Sequence, residues 1–156
     1  MTPPRWTHLM IHHSAGGDTA GLETEAFRTW HVTERGWADI GYHYVVERIG
    51  VTYQALAARP LFMPGAHCPG WNQTAVGICL AGNFEAAPPP SRQLEVAARL
   101  TAGLCAALLI PPAAILQHRD HRATACPGRH FALAAFRRQV AGLLGHAPPA
   151  PETKTA

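Results

Sequence analysis

Two short constellations in this chain hold side chains that could do chemistry together. The first is Ile11-His12-His13-Ser14. The second runs from Gln117-His118 to Cys126-Pro127-Gly128. Two imidazoles and one thiolate form a common catalytic zinc set, with a fourth position left for water. His118 precedes Cys126 by eight residues, and a loop of that size can fold back and bring both to one point. The Pro-Gly pair after Cys126 is expected to open a helix, whose dipole would lower the thiol's pKa. On a strand, only one of the two adjacent His can face a given site. His12 shares a face with His8 and Met10, and His13 with Leu9 and Ile11. Periodicity leaves that choice open.

Two further segments carry weaker signals. In Asp39-Ile40-Gly41-Tyr42-His43-Tyr44, a Tyr entering a strand could present its hydroxyl beside a bound metal, although alternating Tyr and His also suit cross-strand packing. Gly65-Ala66-His67 with Trp71-Asn72 is a Gly/Pro-rich loop holding polar and aromatic groups, of a kind that often lines clefts.

These residues need a scaffold. The chain has 156 residues, enough for one domain with its own core. Hydrophobic residues make up 47% and charged residues 15%, which excludes disorder as the overall class. Fourteen Gly and 14 Pro break every long pattern, against a coiled coil. The apolar stretch from Leu104 to Leu116 is interrupted by Pro111-Pro112 and is too short for a membrane span. The net charge is only +3, without a Lys/Arg run, so nothing marks a nucleic-acid partner. Four Cys form no paired CxxC framework; free thiols or a metal ligand are expected.

Hydrophobic patterning places the motifs. Trp6 to His13 reads as a strand. A helix from Leu22 to Arg35 would bury Leu22, Ala26, Phe27 and Trp30, closed by Gly36. Tyr42 to Arg48 and Val51 to Ala55 read as a hairpin, and Ala75 to Ala81 as a strand buried on both faces, with Cys79 an inert core residue. Pro88 to Ser91 starts a helix with a buried stripe of Leu94, Ala97, Ala98, Thr101, Leu104, Cys105 and Leu108. Ala114 to Gln117 is a brief strand. Gly128 to Leu144 is a last helix burying Phe131, Ala135, Phe136, Val140 and Leu143. The alternation gives an α/β fold: a single domain, residues 1–145, with a central mixed sheet flanked by about three helices and the site in a surface cleft. Residues 146–156 read as a disordered Pro/Thr-containing tail.

Four segments in this order, IHHSAG (11–16), TWHVTERGWADIGYHYVV (29–46), GAHCPGWNQTAVGICLAGNF (65–84) and QHRDHRATACPG (117–128), resemble the zinc N-acetylmuramoyl-L-alanine amidases. That family is shared by phage-type amidase lysozymes and peptidoglycan recognition proteins. The resemblance spans Leu9 to Phe136. It implies one zinc per chain, held by His12, His118 and Cys126. It implies Tyr42 and Thr124 as catalytic residues, and His31, His43, His67 and Asn72 as residues at the substrate groove. Family members that recycle wall fragments in the cytoplasm typically carry Asp, Lys and Glu where Cys126, Thr124 and Cys79 stand here, which pulls the reading toward enzymes that cut the polymer.

The implied reaction is hydrolysis of the amide between N-acetylmuramic acid and L-Ala of the stem peptide. No Glu is placed as general base, since Glu85 lies beyond the buried strand; Tyr42 and His43 remain as proton carriers. The competing readings are a peptidoglycan-binding module with a structural zinc and no turnover, and a recycling amidase. The N-terminus has no signal-peptide pattern. The expectation is a monomer made in the cytoplasm that reaches the cell wall after release or by another export route.

Overall fold

The computed structural model describes residues 4–17, 23–34, 36 and 39–145. The tail at 146–156 lies outside them.

Five strands form one mixed sheet. They are β1 (His8–His13), β2 (Tyr44–Ile49), β3 (Thr52–Ala57), β4 (Ala75–Leu80) and β5 (Ile115–Gln117), in spatial order β3-β2-β4-β1-β5. All neighbours are parallel except the β2–β3 hairpin, where Gly50 turns the chain at φ +60°. The α/β reading therefore holds. β4 is the buried centre, and all six of its residues are inaccessible, as a strand covered on both faces requires.

The long helix α2 (Ser91–Leu108) starts after Pro90, and α3 (Leu133–Leu143) ends the described chain. Both pack on one face of the sheet. There Leu9 and Ile11 of β1 and Val76, Ile78 and Leu80 of β4 meet Ala97, Ala98, Leu104, Phe136 and Val140. Gln93 of α2 pins the helix start to the sheet by donating to the carbonyls of Val46 and Ala81 at 3.0 and 2.7 Å. Leu94 and Leu108 of the expected stripe are half-buried rather than buried.

Helix α1 (Glu23–Thr29) departs from the expectation. It passes into a π-helical turn, Trp30–Glu34, and Gly36 follows at φ +65°. Ala26 is exposed and Trp30 is 46% exposed, so the apolar face expected there is not a buried one. Leu22 and Arg35 fall outside the described residues. The element is anchored by polar contacts instead. Thr24 donates from its backbone N–H and its hydroxyl to the buried Glu47 carboxylate, and Arg28 pairs with Asp39 at 2.6 Å. Among the described residues of the expected apolar set, only Phe27 packs inward, beside Ile40 and Tyr42.

The last helix starts five residues later than expected. Phe131 is buried in the loop ahead of it, whereas Ala135 is exposed and Leu143 is 49% exposed. The cause is Gly128, held at φ +98° against the Phe84 backbone, where an added Cβ would lie 2.3 Å from a carbonyl carbon. Non-helical bonds such as His130 N–H to the Phe84 carbonyl then hold the segment to the loop that follows β4.

Candidate active site

His12 stands at the C-terminal end of β1, the end at which parallel α/β sheets usually bind ligands. The strand choice resolves in its favour. His12 is 1% exposed on the face opposite α2 and α3, with its Nδ1 3.6 Å from the Cys126 Sγ. His13 points the other way, its Nδ1 accepting the Phe84 N–H at 3.1 Å. His118 follows β5 directly, and its ring lies 4.5 Å from that of His12.

The loop between His118 and Cys126 closes as the spacing suggests. Arg119 draws it together: its N–H donates to the Cys126 carbonyl at 2.7 Å and its guanidinium to the Gly128 carbonyl at 2.8 Å. One nitrogen from each of His12 and His118 and the Cys126 sulfur all lie within 4.8 Å of one another. In a tetrahedral zinc site with ordinary bond lengths, a nitrogen and a sulfur ligand sit about 3.6 Å apart. The observed His12–Cys126 separation, 3.6 Å, matches that edge. A thiolate with two imidazoles is also a donor set that selects zinc over harder cations. The residues fit a metal.

Electrostatics agree with neutral imidazole donors. Burial lowers His12 well below the usual imidazole value, reinforced by the neighbouring His67, His118 and His13. His118 is lowered by burial, then by Arg122 and His121. Burial pushes the Cys126 thiol up to about 12, opposed by the His13 backbone N–H, which donates to the sulfur at 3.3 Å. A metal there would take the thiolate and release the proton. The expected helix dipole at Cys126 is absent, because α3 begins only at Leu133; the N–H of His13 supplies a local dipole in its place.

The cluster opens on a cleft of about 430 Å³, whose lining includes His118, Cys126, Tyr42, Thr124, His13 and Glu85. The Thr124 hydroxyl accepts the Cys126 N–H at 3.3 Å, which leaves its own hydrogen for the cleft. Tyr42 is half-buried. Its pKa is raised well above 10 by burial, then by Cys79 and Cys126, so it stays a neutral donor.

The four residues expected at the groove each make contacts within the protein. His67 is buried behind His12, its Nδ1 3.0 Å from the His12 Nε2. The Asn72 Oδ1 accepts the backbone N–H groups of His67 and Cys68 at 2.9 and 2.8 Å and so closes their turn. His43 is fully buried between the Gly77 N–H and the Met63 carbonyl, out of reach as a proton carrier. His31 is buried beside Tyr42 and accepts the Gly41 N–H at 3.3 Å. Conversely, Glu85 does reach the cleft. It follows the C-terminal end of β4, paired in parallel with β1, and that shared strand end was the signal available in the sequence.

An α/β domain with an N,N,S donor cluster open to a cleft at parallel strand ends is the layout of a metallohydrolase. Comparison with known proteins narrows the class. The family model described as N-acetylmuramoyl-L-alanine amidase matches residues 2–129, and the chain belongs to that family. An endolysin of Klebsiella phage KP32 is 32% identical over 124 residues, covering 78% of this chain and 80% of the endolysin. Peptidoglycan recognition protein 1 of Bos indicus is 34% identical over 128 residues; the match covers 78% of this chain but only 66% of the bovine protein. Among solved structures, the N-acetylmuramoyl-L-alanine amidase LysC from Clostridium intestinale superposes with a TM-score of 0.75 at 25% identity, covering 89% of this chain and 90% of that one. No helix among the described residues is long and apolar enough to cross a membrane.

Proposed function

We propose that the protein is a zinc-dependent amidase that hydrolyses the bond between N-acetylmuramic acid and the L-Ala of peptidoglycan stem peptides, acting on the wall after its release. The observation that carries this is the His12–His118–Cys126 cluster facing a cleft that Tyr42 and Thr124 also line. Zinc bound there would polarise the scissile carbonyl and activate water for attack. The chain's own residues supply the rest. Tyr42, kept protonated by burial, and Thr124, whose hydrogen is left for the cleft, are the donors for the oxygen that gains charge. Glu85 and His13 are further titratable groups lining the cleft.

The test is digestion of intact peptidoglycan by the purified protein. New L-Ala amino termini without new reducing ends are expected, abolished by a chelator and restored by zinc. New reducing ends alone would mean a glycosidase. The similarity to a recognition protein favours a second reading, a module that binds peptidoglycan without turnover. Tight wall binding with no amino-group release would establish that reading instead.

A further inference from the structure

We propose that His67 is a positioning residue for His12, and that Gly65 and Gly77 form the slot that makes it one. The proposal rests on the metal site above and goes beyond it.

Hydrogen-bond polarity carries the argument. The Ala75 carbonyl lies 3.0 Å from the His67 Nε2. A carbonyl can only accept, so this nitrogen bears the hydrogen. A neutral imidazole has one N–H, so the His67 Nδ1 offers a lone pair. Its neighbour is the His12 Nε2 at 3.0 Å, which must therefore donate. The remaining lone pair of His12 is on Nδ1, the atom that faces Cys126. One backbone carbonyl on β4 thus sets the tautomer of the metal-facing imidazole two rings away. Because His12 is 1% exposed, no bulk water stands ready to replace His67 as acceptor.

The ring of His67 has little room to move. A Cβ at Gly65 would lie 2.5 Å from its Cδ2, and a Cβ at Gly77 would lie 2.5 Å from the same atom. The Asn72 side chain fixes the His67 backbone, and the Asn72 carbonyl accepts the Gly65 N–H at 2.8 Å. Gly65, His67, Asn72, Ala75 and Gly77 thereby act as one device whose output is the orientation of His12.

Two measurements on the full chain test this without substrate. In the zinc-loaded protein, long-range proton–nitrogen correlation should show His12 with its hydrogen on Nε2 and the metal on Nδ1; the reverse overturns the proposal and needs no variant. Zinc affinity by chelator competition should fall about 10- to 100-fold in His67→Leu, the usual cost of losing such an orienting partner. His67→Gln should recover most of it, because its amide can accept from His12 and donate to Ala75. Unchanged affinity in His67→Leu, or equal loss in both variants, would show that His67 only fills space. If His67→Leu does not fold, the wild-type tautomer and the Gln variant decide. A wild-type chain that binds no zinc would sink the metal site and this proposal together. A chain that binds zinc through Nδ1 yet cleaves no amide would sink the proposed function alone.

Discussion

Along β4, Val76, Ile78 and Leu80 point into the aliphatic core beneath α2 and α3, while Ala75, Gly77 and Cys79 face the other side. β1 repeats the division: Leu9 and Ile11 join the helix-covered core, and Met10 and His12 lie opposite. These strand residues are buried on both faces, so burial does not distinguish them. Side-chain volume does. On β4, large aliphatic groups fill one face, and small residues on the other leave space for the rings of His67 and Tyr42. The difference assigns stability to the first face and chemistry to the second, and each assignment can be broken separately.

The largest expected effect is on adjacent residues of β1. His12→Ala should abolish stoichiometric zinc binding, while His13→Ala, one residue on but turned to the other face, should keep it. Metal analysis of the two purified variants decides. Loss of zinc from His13→Ala alone would invert the face assignment. On the helix-covered side, Ile78→Ala should cost about 2–5 kcal/mol, because it removes three carbons from a closed core. Zinc stoichiometry should be unaffected. A urea titration alongside metal analysis would expose a failure of either half.

The pH dependence belongs to the site face. Burial lowers His43 to about 4 and His67 to about 3, and it lowers His12 as well, in each case from 6.5. The unfolded chain therefore binds more protons than the folded one below pH 6.5, and stability rises with pH in that range. Full stability is expected above 6.5, with progressive loss as pH falls toward 4 and then 3. For His43 alone the loss is on the order of 3 kcal/mol. Urea midpoints of the metal-free protein between pH 7.5 and 4.5 should fall steadily, and Ile78→Ala should lower the curve without changing its slope. A flat profile would mean that these imidazoles are not buried neutral.

The outline of this division was legible in the sequence, but its wiring was not. The run AVGICL marks β4 as a strand buried on both faces, HLMIHH reads as a strand, and the family resemblance, where periodicity leaves the choice open, names His12 with His118 and Cys126. The role of His67 depends on a contact with His12 across 55 positions, and no local pattern distinguishes it from a groove residue. In the sequence Glu85 reads as lying beyond the site; its reach into the cleft follows from the parallel register of β1 and β4, in which His13 pairs with Leu80. The Pro-Gly pair after Cys126 reads locally as a helix start. Close packing of Gly128 on Phe84 overrides that propensity and moves the helix to Leu133.

The smallest effects concern Tyr42 and its neighbour. Tyr42→Phe removes one oxygen and should leave zinc and fold intact while lowering turnover about 10²-fold, the typical cost of one transition-state donor. Cys79 is register-paired with His12, fully buried, and packs with Ile40 and Val45 against Tyr42; its thiol is hydrogen-bonded to the Tyr42 hydroxyl. It is therefore more than the inert filler that its place in an apolar run suggests. Cys79→Ala leaves a cavity of roughly one methyl group, worth about 1 kcal/mol of stability. It also removes a single neutral hydrogen bond from the hydroxyl, about 1 kcal/mol, so turnover should fall by less than about tenfold. Zinc affinity should not change, because the sulfur of Cys79 is not among the clustered donors. Turnover in Cys79→Ala as low as in Tyr42→Phe would show that the thiol fixes the hydroxyl's position outright. Unchanged turnover would return Cys79 to the packing role that it shares with Ala75 on the same strand face.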